Sequence, residues 1–340
     1  MSNWQQLLDG AGARYSGELV MSFGESPRQY SDIANGLASL DNLGILGVHG
    51  IEGTKFLQGQ STCNFQNLAV GGVTPGALCN VKGRMISSFI ACRTRDDEVL
   101  LSMDRALVGP TIAQLKKFAV FFKTELTDAS ELYRQLGLAG STLAESLTAH
   151  FKPLPGAGES VNDEQGNRLA PLTKGLYLIF SPRETAPELW RSLSGTITPV
   201  GLPWWQLQLA RAGLAAVTEA LSEQLVPQML NYQATGAISF TKGCYTGQEV
   251  VARMQYRGTL KRRTYRIRAT TNTTPEIGAE LSTADGKNVG TVVLAAPEDE
   301  NHIAMLAVLR EAALDQTQLT INGESIAITL EDLPYSLDIQ

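Results

Sequence analysis

The chain is poor in the residues that build metal centres: its 340 residues hold only 4 cysteines and 3 histidines. Cys63, Cys79, Cys92 and Cys244 are widely spaced with no CxxC pair, and His49, His150 and His302 form neither HxxxH nor HExxH. Structural zinc needs closely spaced ligand pairs, so no metal site is expected. Phosphate loops are missing too: no GxxxxGK[ST] occurs, no GxGxxG follows a strand, and no GxSxG nucleophile elbow is present. No apolar run approaches the roughly 20 residues that span a bilayer. The opening MSNWQQLLDG lacks a basic start and apolar core, and neither end carries a lipidation pattern. The expectation is a cytoplasmic protein without a membrane partner. A reducing cytosol disfavours disulfides, so Cys79 and Cys92, in the apolar stretches GALCNV and FIACRT, read as buried small hydrophobes. A net charge of -6 argues against a general nucleic-acid coat and leaves room only for a local basic patch.

What is present is an ordinary globular balance, 43% hydrophobic and 18% charged, enough to bury a sizeable core. The length suggests two or three domains. Residues 1–40 read as partly loose. Gly44 to His49 reads as a strand and Ile51 to Gln60 as a helix with Phe56 and Leu57 inward. Ala77 to Val81 and Met85 to Cys92 read as a hairpin around Lys82-Gly83-Arg84, and Val99 to Met103 continues the sheet. Asp104 is a plausible N-cap for a helix carrying Leu107, Ile112, Leu115 and Phe118 on its apolar side, and Ala119 to Phe122 leads into another strand. This alternation points to α+β subdomains. Residues 152–167 read as a loop. Trp204 to Ala212 reads as a helix that Gly213 ends. From Arg263 onward, short β-rich runs separated by Asp285-Gly286, Glu298-Asp299 and Asn322-Gly323 predict a small antiparallel barrel, with a boundary near residues 255–262.

Three segments could carry chemistry. In Lys242-Gly243-Cys244-Tyr245-Thr246-Gly247-Gln248-Glu249, two glycines bracket a cysteine just ahead of a short helix. A helix N-terminus favours thiolate, and Lys242 could add to that; the plain alternative is an inert loop cysteine. Pro203-Trp204-Trp205-Gln206 offers an indole for a flat heterocycle, or simply a core tryptophan. The basic run Arg257, Lys261, Arg262, Arg263, Arg266 and Arg268 fits phosphate, polyglutamate or RNA, or a solvated strand.

The Lys242–Glu249 octapeptide resembles the signature of the YgfZ family of folate-binding proteins, relatives of the glycine cleavage aminomethyltransferase (T-protein). The resemblance extends from about residue 40 to the end. Supporting pieces are Leu57-Gln58-Gly59-Gln60-Ser61-Thr62, Leu115 to Phe121, Val226-Pro227-Gln228, Asn231, Gly236 to Phe240 and Leu333 to Leu337. It implies ferredoxin-like subdomains around a central folate channel plus a C-terminal antiparallel β-barrel. Residues 1–255 would form the folate-binding region, with an inserted subdomain at about 46–125, and residues 256–340 the barrel. It further implies tetrahydrofolate as cofactor, iron–sulfur client proteins or assembly factors as partners, and an indirect link to tRNA modification. The site residues it implies are Cys244 and Lys242 as functional groups, with Trp205, Asn231, Tyr245, Gly247, Gln248, Glu249 and Arg253 toward folate. The chain departs from the pattern at three places. A second folate-site tryptophan falls at Leu43, and the acid that grips the pterin falls at Arg211. The paired aspartates after the hairpin are replaced by Ser87-Ser88, and a neutral serine supplies no anion beside the folate amine. That speaks against classical aminomethyl transfer. A one-carbon transferase or demethylase, and a direct tRNA binder, remain as alternatives to an accessory factor.

Overall fold

The chain, described over residues 3–256 and 260–337 as a computed structural model, is α+β, with two open sheets, a barrel and a small N-terminal hairpin. The first open sheet has the order β5 (Val73–Cys79), β6 (Met85–Arg95), β7 (Glu98–Asp104), β4 (Leu43–His49), β8 (Glu125–Asp128), antiparallel throughout. Against it α2 (Gly53–Gln60) buries Phe56 and Leu57, and α3 (Arg105–Ala119) buries Val108 and Leu115. The Asp104 carboxylate accepts from the Ala106 amide at 3.0 Å and so caps α3, an interaction worth about 1 kcal/mol. Phe118 departs from expectation: at the open end of α3 it is 37% exposed, beside Phe121 at 80%.

The second sheet has the order β10 (Val161–Asn162), β11 (Arg168–Thr173), β12 (Leu176–Pro182), β9 (Tyr133–Gly140), β3 (Asn35–Ser39), β13 (Thr198–Val200), with only the β13–β3 pair parallel. The first 40 residues are not loose. They carry α1 (Asn3–Gly10), the hairpin β1 (Arg14–Ser16) and β2 (Leu19–Ser22), and β3 itself. The sequence Asn-Gly-Leu-Ala-Ser has little strand propensity; β3 is a strand because β9 and β13 pair with both of its edges. Trp4 of α1 is buried edge-on to Trp190 of α5 (Ala186–Ser194), ring centroids 5.6 Å apart.

The small residues of β3 also have a packing reason. Gly36 faces the Trp204 ring and Gly137 of β9 faces the Trp205 ring; a Cβ at Gly137 would lie 2.7 Å from an indole carbon. Register places Gly36 opposite Ala139 and Ala38 opposite Gly137, so four small residues form the seat for two tryptophans. Both belong to α6 (Leu202–Arg211), which starts with Pro203 in its first turn, where the missing N–H costs nothing. It stops before Gly213, at φ 67°.

The barrel closes in the order β14 (Arg262–Thr270), β17 (His302–Arg310), β16 (Asn288–Pro297), β15 (Glu280–Ser282), β18 (Gln318–Ile321), β19 (Glu324–Glu331). Asn322 and Gly323 both have positive φ, 50° and 85°, the requirement of a two-residue hairpin turn. Ile267, Val292, Met305 and Leu309 fill the barrel. Its outer wall, Val293, Leu294, Ala304 and Leu306, joins Trp204 and Trp205 in the central core. Of the residues at the expected boundary, Arg257 and Gly258 lie outside the described residues.

Candidate functional site

Where the two sheets, α6 and the barrel meet lies a cavity of about 660 Å³. Trp205 and Gln206 come from α6, Ser88–Ile90 from β6, Leu172 and Thr173 from the end of β11 with Lys174 just after it, and Val293 and Leu294 from the barrel. The walls are mainly aliphatic and aromatic. Among the described lining residues Asp104 is the only acid and Lys174 the only base. Leu43 lines the cavity; Arg211 does not, being tied to Glu298 at 3.1 Å. Trp204 and Trp205 are both buried, but only Trp205 borders the cavity; the Trp204 indole N–H donates to the Tyr30 carbonyl at 3.4 Å. Of the Ser87-Ser88 pair, Ser88 lines the cavity and its Oγ accepts from the Val217 amide at 2.8 Å, while Ser87 is buried against Thr111.

The other proposed folate residues stand elsewhere. Asn231, Tyr245, Gly247, Gln248, Glu249 and Arg253 do not border this cavity. Asn231 is fully buried in the left-handed region at φ 58°, and its Nδ2 donates to the Thr264 carbonyl at 2.9 Å, pinning the start of the barrel. Tyr245 is buried, and burial pushes its phenol pKa up. Glu249 and Arg253 are exposed on α7 (Gln248–Tyr256). The octapeptide therefore reads better as a surface loop than as a pterin pocket.

Cys244 is the exposed cysteine; Cys63, Cys79 and Cys92 are buried. Lys242, expected to activate it, is turned inward. Its Nζ donates to the carbonyls of Gln58, Ser61 and Cys63 at 2.7, 2.6 and 2.7 Å, which uses all three ammonium donors. It also lies 5.1 Å from the Tyr245 ring centroid. Burial pulls this ammonium down to about 8, while the three carbonyl acceptors favour the charged form. Lys242 thus pins the loop rather than bonding the thiol. Behind Cys244, Gly247 sits at φ 84°, and a Cβ there would come within 2.5 Å of the Asn80 carbonyl oxygen. Gly83, at φ 70°, abuts Val250 in turn, so the β5–β6 turn packs directly against the start of α7.

Of the basic run, Lys261 is exposed and Arg262 and Arg263 are half-buried, while the two arginines further along β14 are paired. Arg266 pairs with Glu331 at 2.8 Å, and Arg268 with Glu298 at 2.8 Å and Asp299 at 3.1 Å; Arg257 lies outside the described residues. Among the described residues no group of three His, Cys, Asp or Glu side chains could hold a metal ion, and no helix is long and apolar enough to cross a membrane.

Comparison with known proteins places this architecture. The tRNA-modifying protein YgfZ of Klebsiella pneumoniae (strain 342) is 32% identical over 320 residues, 92% of this chain and 97% of the relative. The chain belongs to the YgfZ family. The YgfZ protein of Escherichia coli O157:H7 is 31% identical over 309 residues, covering 89% and 94% of the two chains. That of Pectobacterium carotovorum is 32% identical over 320 residues. No family model matches the chain. Among solved structures, the glycine cleavage system aminomethyltransferase T from Bartonella henselae superposes with a TM-score of 0.76 at 18% identity, over 97% of this chain and 96% of that one. The chain therefore has an aminomethyltransferase-like fold.

Reading the sequence alone missed most of the cavity wall. Asn42 and Asp104 are brought together by the β4–β7 pairing, and Thr218 reaches the same cavity from the loop ahead of the short turn Glu219–Leu221. Asp104 was visible solely as a helix cap.

Proposed function

We propose that this YgfZ-family chain is a cytoplasmic folate-binding accessory protein. It would support assembly or repair of iron–sulfur proteins and, through them, tRNA thiolation, with Cys244 as its working thiol. The observation that carries the folate part is the cavity of about 660 Å³ walled by the Trp205 indole. Its size and apolar lining match small-molecule sites of roughly 300–1,000 Å³. Tetrahydrofolate supplies a flat pterin for the indole and a carboxylate tail for Lys174; as a cofactor it carries one-carbon units.

The thiol part rests on exposure. Cys244 stands on the surface, on a loop that Lys242 and Gly247 hold in place, where a client protein can reach it. A one-carbon transferase is kept as a second reading because one carboxylate, Asp104, does border the cavity. Turnover of tetrahydrofolate to methylene-tetrahydrofolate with an aminomethyl donor would bring that reading forward.

Two experiments test the main reading. Titration with tetrahydrofolate, followed by tryptophan fluorescence, should saturate; a flat titration removes the folate part. A Cys244→Ala gene placed in a deletion strain should fail to restore iron–sulfur enzyme activity and tRNA thiolation. Full restoration removes the thiol part.

A further inference from the structure

Two exposed apolar segments abut the loop that carries Cys244. α3 ends near Phe118, and the chain just past it leaves Val120 75% and Phe121 80% exposed. Phe122 takes the inward place, its ring edge-on to Phe56 with centroids 5.4 Å apart. Phe118 shares a shallow groove with Thr246, two residues past Cys244, and with Gln60 and Gln114. The second segment is the β5–β6 turn. Its Gly83 packs on Val250 and Gly247, while Val81 of the same turn is 80% exposed. Single exposed apolar side chains are ordinary, but several gathered beside an exposed thiol mark a surface that meets another molecule. The charge around them is mostly of one sign. Lys82, Lys116 and Lys117 are exposed and pair with no carboxylate among the described residues; Lys117 bonds Gln114 at 2.7 Å. Glu52 is taken up by the Lys55 ammonium and the Lys123 amide, and Glu249 is the exposed acid of the Cys244 segment. On a chain of net charge -6, these lysines make a local positive field.

We infer that Phe118, Phe121 and Val81, ringed by Lys82, Lys116 and Lys117, form a docking lip for an acidic, apolar segment of a partner protein, seated so that a sulfur atom of the partner meets Cys244. The inference rests on the thiol reading proposed above. It adds what the partner must carry at its own surface: carboxylates beside an aliphatic or aromatic anchor. A nucleic acid would match the lysines but not the aliphatic side chains. A lipid surface would match both, but brings no sulfur to the thiol.

The test uses cysteine peptides of equal length, one acidic and apolar, one acidic and polar, one basic and apolar, each as its mixed disulfide with thionitrobenzoate. The Cys244 thiolate attacks the peptide sulfur, a peptide–protein disulfide forms, and thionitrobenzoate leaves as the coloured thiolate that reports the rate. Each rate is divided by that of a small uncharged mixed disulfide, which cancels any change in the thiol itself. The acidic apolar peptide should react about tenfold faster than the other two, because docking raises the local concentration of its sulfur, and added salt should cut that advantage. Phe121→Ser, at a side chain that supports little of the core, should bring the rate down to that of the other peptides, as should Lys116→Glu combined with Lys117→Glu. Equal rates for the three peptides, or an advantage that survives in Phe121→Ser, overturns the lip. A wild-type dimer that Phe121→Ser dissociates, seen by sedimentation, overturns it in favour of contact between copies of this chain. Binding of tRNA or of phosphatidylglycerol vesicles that Phe121→Ser abolishes, without any peptide preference, overturns it in favour of that ligand. A peptide preference that persists although Cys244→Ala restores the deletion strain upholds the lip and removes the thiol reading alone.

Discussion

At the scale of single residues, the four cysteines divide sharply by environment. Burial pushes the Cys63 thiol up to about 11 and the Cys79 thiol up to about 12. Both folded values are raised above the unfolded value of about 8.5. Their contribution to stability is therefore full below about pH 8.5 and is lost as pH rises toward about 11. The urea midpoint should fall across that window. In the folded protein at pH 8, a thiol reagent should label one equivalent quickly, at Cys244, and the rest only on unfolding; two fast equivalents would place a second cysteine at the surface. Lys242→Met leaves three buried carbonyls without their donor. At about 1–3 kcal/mol for each buried orphan, the variant should lose several kcal/mol in urea titration and label faster at Cys244. Trp205 is buried against Gly137 as well as bordering the cavity, so truncation to alanine would cost about 3–5 kcal/mol of stability. Trp205→Phe is the cleaner probe: it should keep the fold and weaken tetrahydrofolate about threefold to tenfold, read by calorimetry.

At the scale of elements, two close approaches set the site. α6 can lie on β3 and β9 only because Gly36 and Gly137 leave room for two indoles. Gly137→Ala should lower stability by about 1–3 kcal/mol, the usual cost of overpacking, and should also shift the Trp205 ring, lowering ligand affinity in the same variant. Gly83→Ala is the sister test on the β5–β6 turn. A left-handed residue there is strained for alanine, and its Cβ would meet Val250 at 2.8 Å. These same elements show how far the sequence could be read. α6 was legible because its punctuation is local: a proline in the first turn and a glycine past the end. The barrel was legible from its turn residues. The strand Asn35–Ser39 was not, since its small side chains answer to tryptophans nearly 170 residues downstream, a distance plain from the two positions. Of the residues the family resemblance suggested for folate, the sequence carried chemistry but not direction: Tyr245 packs under the loop, Glu249 and Arg253 are exposed, and only Trp205 reaches the cavity.

At the scale of the whole molecule, the cavity is walled by both sheets, α6 and the barrel, so any ligand there fastens all four together. Ligand at one hundred times its Kd should stabilise the fold by about 2.7 kcal/mol. With an unfolding entropy of about 2.1 cal/mol/K per residue, that raises the melting temperature by about 4 °C, and as one transition. A ligand shift confined to part of a split transition would place the site within one layer.

The β5–β6 ribbon has ends in two different places. Pro75, Gly76 and Ser88–Ile90 border the cavity, while Asn80 and Gly83, at the turn, press on Gly247 and Val250 behind Cys244. Any influence passing along this ribbon obeys reciprocity: if an occupied cavity changes the affinity of Cys244 for a reversible thiol adduct by some factor, the adduct must change ligand affinity by the same factor. The Kd for tetrahydrofolate, measured on protein with and without a reversible mixed disulfide at Cys244, should therefore move by the ratio that ligand imposes on formation of that disulfide. Equal ratios of one would make the ribbon a scaffold and nothing more. Equal ratios far from one would make the thiol a reporter of folate supply.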